Sequence, residues 1–342
     1  MQDIKELNLV ELKKVLKGWQ EEEFRAGQVF SWIYKKGGRD FETMSNLPSG
    51  LRLKLKENFS LGSLKLLNRR LSADGTEKFL FGLADKGSVE VVSIPTENRV
   101  TGCISTQVGC KFVCSFCASG LHGFKRNLSV AEILEQALFL KDCSKAKKLT
   151  HLVFMGTGEP LDNYDNLLKS IRIINSKDAF NIGARRITIS TCGIIPGIKR
   201  LSGEGLQIEL SVSLHASDDK TRSRIMPINK RYPLKALLET CREYIKKTDR
   251  QVTFEYVLIQ GLNSDLQSSR ELVRILRGLI CKVNLIPANF VKELRIAPPN
   301  KPEALYFRDS LLKAGINAIL RKPRGQDIEA ACGQLRLKHV EK

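Results

Sequence analysis

The sequence predicts an α/β protein: a parallel sheet, open or rolled into a barrel, preceded by a small N-terminal helical domain and a short strand extension. Three observations predict it. From Val100 to Lys313, short apolar runs alternate with longer segments of helical periodicity. Alternation of that kind needs helical crossovers between parallel strands. Before it, residues 4–59 carry three helical stripes, and residues 64–94 carry short strands broken at glycine turns.

Leu9, Leu12, Val15 and Leu16 form the first stripe, and Val29, Phe30, Ile33 and Tyr34 the second. Leu51–Phe59 makes a third helix. Gly37-Gly38 stops the second helix and Pro48 opens the third, as each residue type tends to do. Three short helices with several basic side chains suit an RNA-docking unit or a structural cap. Strands are then expected at Leu64–Leu71, Lys78–Leu83 and Val89–Ile94, between Ala73-Asp74-Gly75 and Asp85-Lys86-Gly87 turns.

In the repeating region the expected strands are Val100–Ser105, Thr150–Met155, Arg186–Ser190, Ile208–Leu214, Val252–Leu258 and Lys282–Ile286. Helices are expected at Val130–Lys141, Asn163–Asn175, Leu234–Lys247, Asp265–Leu279 and Pro302–Lys313. The domains follow as 1–60 (helical), 61–95 (a short β linker) and 96–342 (the core with a C-terminal catalytic loop). Sites on such sheets gather at the carboxyl ends of the strands.

Hydrophobic residues at 42% and charged residues at 27% are ordinary for a globular chain of 342 residues. No run approaches the ~18 apolar residues of a membrane span, and Met1–Val10 is too polar for a signal peptide. The expectation is a cytoplasmic protein with no membrane partner. Lys+Arg 56 against Asp+Glu 37 leaves +19, which favours a polyanionic partner; solubility alone is the plainer reading. Nine cysteines in a chain of this kind do not read as a disulfide framework. Cys143, Cys192, Cys241 and Cys281 stand singly and read as buried structural thiols.

Cys110, Cys114 and Cys117, spaced C-x3-C-x2-C after the first strand of the repeat, can wrap a [4Fe–4S] cube and leave one iron open to a small chelating molecule. A zinc site would need a fourth ligand, for which His122 is the nearest candidate. Gly156-Thr-Gly158-Glu159-Pro160 follows the second strand. Its glycines let backbone approach a ligand, and Glu159 can accept from an ammonium.

The cysteine triplet resembles the signature of the radical S-adenosylmethionine enzymes. Further segments narrow the likeness: Phe24-Arg-Ala-Gly-Gln28, Gly109-Cys110 with Cys103 upstream, Arg186-Ile-Thr-Ile-Ser190-Thr191, Ser213-Leu214-His215, Met226-Pro-Ile-Asn229 and Arg324–Leu335 around Cys332. Over nearly the whole chain they resemble the dual-specificity adenine-C2 methyltransferases of 23S ribosomal RNA and transfer RNA. The resemblance implies a partial (β/α)6 radical-SAM barrel, one [4Fe–4S] cluster on Cys110, Cys114 and Cys117, and S-adenosylmethionine as cofactor. It implies methylation of C2 in adenosine 2503 of 23S rRNA and adenosine 37 of tRNA, by a monomer served by a flavodoxin- or ferredoxin-type electron donor.

Residue roles follow from the same resemblance. Cys332 would carry a methyl group as S-methylcysteine. Cys103 would release the methylated base by forming a transient disulfide with it. Glu90 would accept the proton leaving C2; it stands in the apolar run Ser88–Ile94, where a carboxylate is expected to be desolvated and to gain base strength. Gly158, Glu159, Ser190, Ser213, Leu214, His215 and Asn289 would contact the cofactor. Two departures stand out: Gly-Thr-Gly-Glu replaces the usual Gly-Met-Gly-Glu, and Asn289 lacks the usual preceding aromatic and following proline. Small residues beside Cys332 (Ala330, Ala331 and Gly333) suggest a mobile loop. Arg185, Arg186, Lys199, Arg200, Arg222, Arg224, Lys230 and Arg231 are candidates for phosphate contacts around the opening. Two other readings stay open: a C8-adenine methyltransferase conferring ribosomal antibiotic resistance, and a non-catalytic RNA-binding protein with a structural zinc or iron–sulfur site. Ile94-Pro95, Gly158–Leu161 and Arg321–Arg324 look more like the C2 branch, and Cys332 has no purpose in the non-catalytic reading.

Overall fold

The computed structural model describes residues 1–62, 64–143, 148–291, 293–294 and 296–335; the last seven residues of the expected core domain lie outside them. The chain opens with a two-residue strand, β1 (Gln2–Asp3), and helices α1 (Leu9–Gly18), α2 (Phe24–Tyr34) and α3 (Ser49–Asn58). A short β2 (Phe59–Ser60) pairs in parallel with β1 and closes this unit. Asn8 and Glu11 form a reciprocal capping box at the start of α1, satisfying donors a helix start leaves unpaired. The stripes read from the sequence do the packing: Leu12, Leu16, Val29, Phe30, Ile33, Leu51 and Leu55 are buried. Buried Lys5 ion-pairs with Asp3 and reaches Glu135 of the following core.

Strands β3 (Lys65–Leu71), β4 (Glu77–Gly82) and β5 (Ser88–Pro95) form an antiparallel run. They are not a separate linker sheet. Strand β6 (Val100–Cys103) joins β5 antiparallel, and the main sheet continues from there. Six strand–helix repeats follow: β6 with α4 (Val130–Cys143), β9 (Leu149–Phe154) with α5 (Tyr164–Asn175), β10 (Ile187–Thr191) with α6 (Ile195–Leu201), β11 (Glu209–Ser213) with α7 (Asp219–Ile225) and α8 (Leu234–Thr248), β12 (Val252–Leu258) with α9 (Leu266–Leu276), and β13 (Cys281–Pro287) with α10 (Lys301–Lys313). A hairpin, β7 (Gln107–Gly109) with β8 (Phe124–Asn127), is inserted after β6, and a last strand, β14 (Asn317–Leu320), ends the sheet. The ten-stranded order is β14-β13-β12-β11-β10-β9-β6-β5-β4-β3. Every pairing from β6 to β14 is parallel.

The predicted elements are present, with ends shifted by a few residues at most, and β12 matches residue for residue. The hairpin, β14, α6 and α7 were not anticipated. Strand β14 is four residues long and buries only Ala318, and its apolar run Ala318-Ile319-Leu320 is shorter than the roughly four to eight residues that signal a buried strand. None of the helices in the described residues is long and apolar enough to cross a membrane.

Candidate active site and cluster-binding loop

The carboxyl ends of β9 through β13 converge on one cavity of about 160 Å3, which the loop after β6 and Cys332 also line. In a flat sheet β9 and β13 would stand four spacings, or ~19 Å, apart. Sharing one small cavity requires the sheet to wrap around it.

Cys110, Cys114 and Cys117 all line this cavity. Their loop is bracketed by the β7–β8 hairpin and tied to the frame at two points. The Ser115 N–H donates to Ile225 O at 2.9 Å and the Ala118 N–H to Gly333 O at 2.7 Å. Burial raises all three thiols, Cys110 to about 12; the Cys117 sulfur raises Cys110 further, and Cys117 and Cys110 together raise Cys114. Such thiols become thiolates only when cationic metal replaces their protons. Among the described residues no three His, Cys, Asp or Glu side chains could hold a single metal ion. His122, the zinc ligand considered above, is exposed and stands off the cavity wall. Three soft donors on one wall suit a [4Fe–4S] cube, whose thiolates bind separate irons.

On the adjoining wall lie Gly158, Glu159, Ser190, Ser213, His215 and Asn289, six of the seven residues for which the resemblance implies cofactor contacts. Leu214 does not: its side chain is buried off the cavity, and its carbonyl accepts from the Arg222 Nε–H at 3.1 Å. Glu159 is fixed by the N–H groups of Cys192 (2.7 Å) and Leu161 (3.0 Å). Burial raises its carboxyl while these donors pull the other way, and a carboxylate retains further acceptor sites for an ammonium. Buried His215 takes the Val257 N–H on Nδ1 at 2.9 Å, which leaves Nε2–H as the donor of a neutral ring. Burial, with Arg222 nearby, brings its pKa down to about 3.

Two glycines in the turn after β9 are sterically required. A Cβ on Gly156 would stand 2.7 Å from the Ile104 carbonyl, and one on Gly158 2.5 Å from Gln107 Cβ, where φ is +104°. Gly158→Ala therefore adds left-handed strain of roughly 1–3 kcal/mol to a clash. Equilibrium dialysis should show S-adenosylmethionine binding weakened at least ~10-fold, the cost being ~1.4 kcal/mol per decade. Unchanged binding would show that the turn yields without disturbing the wall.

Arg222 is a correction. Expected among the phosphate-binding residues, it is fully buried. Its guanidinium donates to the carbonyls of Cys192 (2.9 Å), Ser213 (3.0 Å) and Leu214, and to Asn229 Oδ1 (2.8 Å). It staples the ends of β10 and β11 together beneath the cavity. Arg185 and Arg186 precede β10, and Lys199 and Arg200 end the helix running back from it, so these four lie towards the opposite end of the strands from the cavity. Arg224, Lys230 and Arg231 are exposed in the connection after β11, on the cavity side.

The segment carrying Cys332 is pinned from three sides. Asp327 accepts from Ser72 Oγ (2.6 Å) and the Ala73 N–H (3.1 Å). Gly333 and Leu335 give their carbonyls to Ala118 N–H and Ser119 Oγ of the cluster loop. Asn289 donates to Cys332 O at 2.9 Å and accepts from Gln326 at 2.8 Å. Asn289 thus lines the cavity but uses both ends of its amide on this segment. The small residues serve close packing: Ala330 and Ala331 are buried, and a Cβ on Gly333 would stand 2.8 Å from Phe116 O.

Cys332 has accessible surface and lines the cavity, whereas Cys103 is buried behind it, packed with Val92, Ile328, Ala330 and Leu335. Burial raises the Cys103 thiol strongly, and the neighbouring Cys332 adds to it. Glu90 is 2% exposed, as deep as its apolar run implied. It stands two residues from Val92, which pairs with Cys103 across β5 and β6, so carboxylate and thiol share a sheet face. The sequence reading missed three neighbours. Lys78 lies 3.1 Å from Glu90 Oε1. Glu255, a buried carboxylate held by Asn284 at 2.9 Å, lines the cavity; it has the same sequence signal as Glu90, a lone acid in an apolar strand. Cys192, read as a structural thiol, also lines the cavity.

Comparison with known proteins agrees with this arrangement. The family model of the Radical SAM superfamily matches residues 104–273, and that of the ribosomal RNA large subunit methyltransferase N-terminal domain matches residues 2–61. A probable dual-specificity RNA methyltransferase RlmN of Caldanaerobacter subterraneus is 44% identical, across 100% of this chain and 99% of its own length. Its counterpart in Geobacillus thermodenitrificans is 46% identical, across 97% and 92%. The crystal structure of a radical SAM methyltransferase from Sphaerobacter thermophilus superposes with a TM-score of 0.95 at 41% identity, covering 98% of this chain and 99% of that one.

Proposed function

Since the chain belongs to the radical SAM family of dual-specificity RNA methyltransferases that carry the name RlmN, we propose that it methylates C2 of adenine in 23S ribosomal RNA and in transfer RNA through a methyl group carried on Cys332. The observation that carries this reading is the pairing of Cys332 on the cavity wall with Cys103 directly behind it, beside the three cluster cysteines. Cys110, Cys114 and Cys117 would hold the [4Fe–4S] cluster, which with S-adenosylmethionine would supply the radical chemistry for hydrogen abstraction.

The chain's own residues do the rest. C2 of adenine is not nucleophilic, so a polar methyl transfer to it fails, but a thiol can take a methyl by displacement. Cys332 has the access for this and Cys103 does not. After hydrogen abstraction the S-methylene carbon of Cys332 adds to C2. The adduct radical must lose one electron, for which the cluster, oxidised when the cofactor was cleaved, would be the acceptor, and the C2 proton, which Glu90 accepts. Cys103 then attacks Cys332 Sγ; the S–C bond breaks, its electron pair stays with carbon and takes up a proton, and methylated base leaves. The disulfide so formed must be reduced for the next turnover.

The target base must be unstacked to reach the cavity. Exposed Arg224, Lys230 and Arg231 are offered as phosphate contacts at its rim, and residues 1–60 as an RNA-docking unit on the core formed by 96–342. The reading includes a cytoplasmic monomer served by a flavodoxin- or ferredoxin-type donor. For C2 over C8, support comes from Ile94-Pro95, Gly158–Leu161 and Arg321–Arg324. Incubation with reductant, S-adenosylmethionine and a ribosomal RNA fragment, then nuclease digestion against standards, should give 2-methyladenosine as essentially the whole product. Predominant 8-methyladenosine would assign the chain to the other branch.

A further inference from the structure

Lys78 belongs to β4, a strand whose inward side chains are otherwise apolar, and is itself only 4% exposed. Its Nζ stands 3.1 Å from Glu90 Oε1 and donates at 2.8 Å to the carbonyl of Glu329, three residues before Cys332. The register explains the reach. Lys78 opposes Val92, and Leu80 opposes Glu90, so Lys78 and Glu90 are diagonal neighbours on one face. Burying both charges is costly, and well-packed apolar side chains would serve a sheet at least as well. Glu329 has φ +54°, a conformation that a non-glycine residue holds only when its surroundings fix it. Lys78 is part of those surroundings.

We propose that Lys78 is a positioning residue that couples the base to the methyl carrier: one ammonium orients the Glu90 carboxylate and holds the Cys332 segment by its backbone. The proposal rests on the reading of Glu90 as proton acceptor and Cys332 as carrier. One donor goes to each partner, and an ammonium has donors for both. Removing it should disturb the steps after the carbon–carbon bond forms, when proton loss and attack by Cys103 need Glu90 and Cys332 in register. Methylation of the Cys332 thiol needs its access to the cavity but not its register with Glu90 or Cys103.

Lys78→Met, Lys78→Arg and Glu90→Gln enzymes, each reconstituted with its cluster, test this against wild type. Lys78→Met should methylate Cys332 to a near wild-type extent by intact-protein mass spectrometry. It should release methylated RNA at least ~10-fold more slowly, with a denaturation-resistant protein–RNA species persisting, and Lys78→Arg should recover part of the rate. A merely structural lysine would lower both steps together, and that result overturns the proposal. Wild-type release by Lys78→Met while Glu90→Gln stalls also overturns it. Wild-type release by Glu90→Gln overturns the underlying reading of the base instead. Should Lys78→Met fail to fold around an unpaired carboxylate, the Lys78→Met/Glu90→Gln double variant removes both charges. Hydrogen exchange over residues 325–335 should then be faster in the double variant than in Glu90→Gln alone; equal exchange overturns the anchoring role.

Discussion

A Cys103→Ala enzyme is expected to end its first turnover joined covalently to RNA. Cys332 remains on the cavity wall with its accessible surface, so it should still take a methyl group and still add to the base. What is lost is the thiol packed behind it among Val92, Ile328 and Ala330. Without that thiol nothing breaks the S–C bond, and the adduct should survive denaturation and vanish on ribonuclease treatment. Cys332→Ala should behave in the opposite way, with no methyl on the protein, no adduct and no methylated RNA. The arrangement explains the division of labour. Cys103 is buried off the cavity wall, so it does not compete for the methyl. Two merely structural cysteines would each lose roughly 1–3 kcal/mol on truncation, and neither variant would trap RNA. Free methylated RNA at the normal rate from Cys103→Ala, or a crosslink from Cys332→Ala, would overturn the two-cysteine scheme.

How far the sequence reached depended on whether a residue's role was set locally. The strands of the parallel region were legible because both faces are covered and their apolar runs are continuous; Val252–Leu258 is buried along its whole length. The β7–β8 hairpin was not, because Gln107–Gly109 and Phe124–Asn127 show no alternation. Cys110, Cys114 and Cys117 stood out by their spacing together with the resemblance to the radical S-adenosylmethionine signature. Glu90 was found through its apolar run and through resemblance, while Glu255, with the same local signal, was passed over. Lys78 and Arg222 show the limit most clearly. Each is a cation whose purpose depends on partners distant in sequence: Glu329 for Lys78, and the ends of two strands for Arg222. In the sequence, charge near other charges reads as surface. The Cys332 segment was misjudged for a related reason, since small residues signal close approach as well as freedom.

Removing any one of Cys110, Cys114 or Cys117 should abolish the chemistry outright while leaving the fold in place. Wild-type protein reconstituted without oxygen should bind about four irons and turn brown. Each Ala variant should retain well under one iron and form no 5′-deoxyadenosine. The loop should stay put, because its backbone is held independently of the thiols: Ser115 donates to Ile225, Ala118 to Gly333, and Cys110 to Gly123 at 3.2 Å. Burial of these thiols leaves little reason for their crowding unless metal replaces their protons, so the apo variants should melt close to apo wild type. Cys143→Ala is the control: that thiol is exposed, off the cavity wall, and should keep full iron content. Stoichiometric zinc in anaerobically purified protein, with no iron uptake on reconstitution, would overturn the assignment. An Ala variant that still cleaves the cofactor would remove its cysteine from the ligand set.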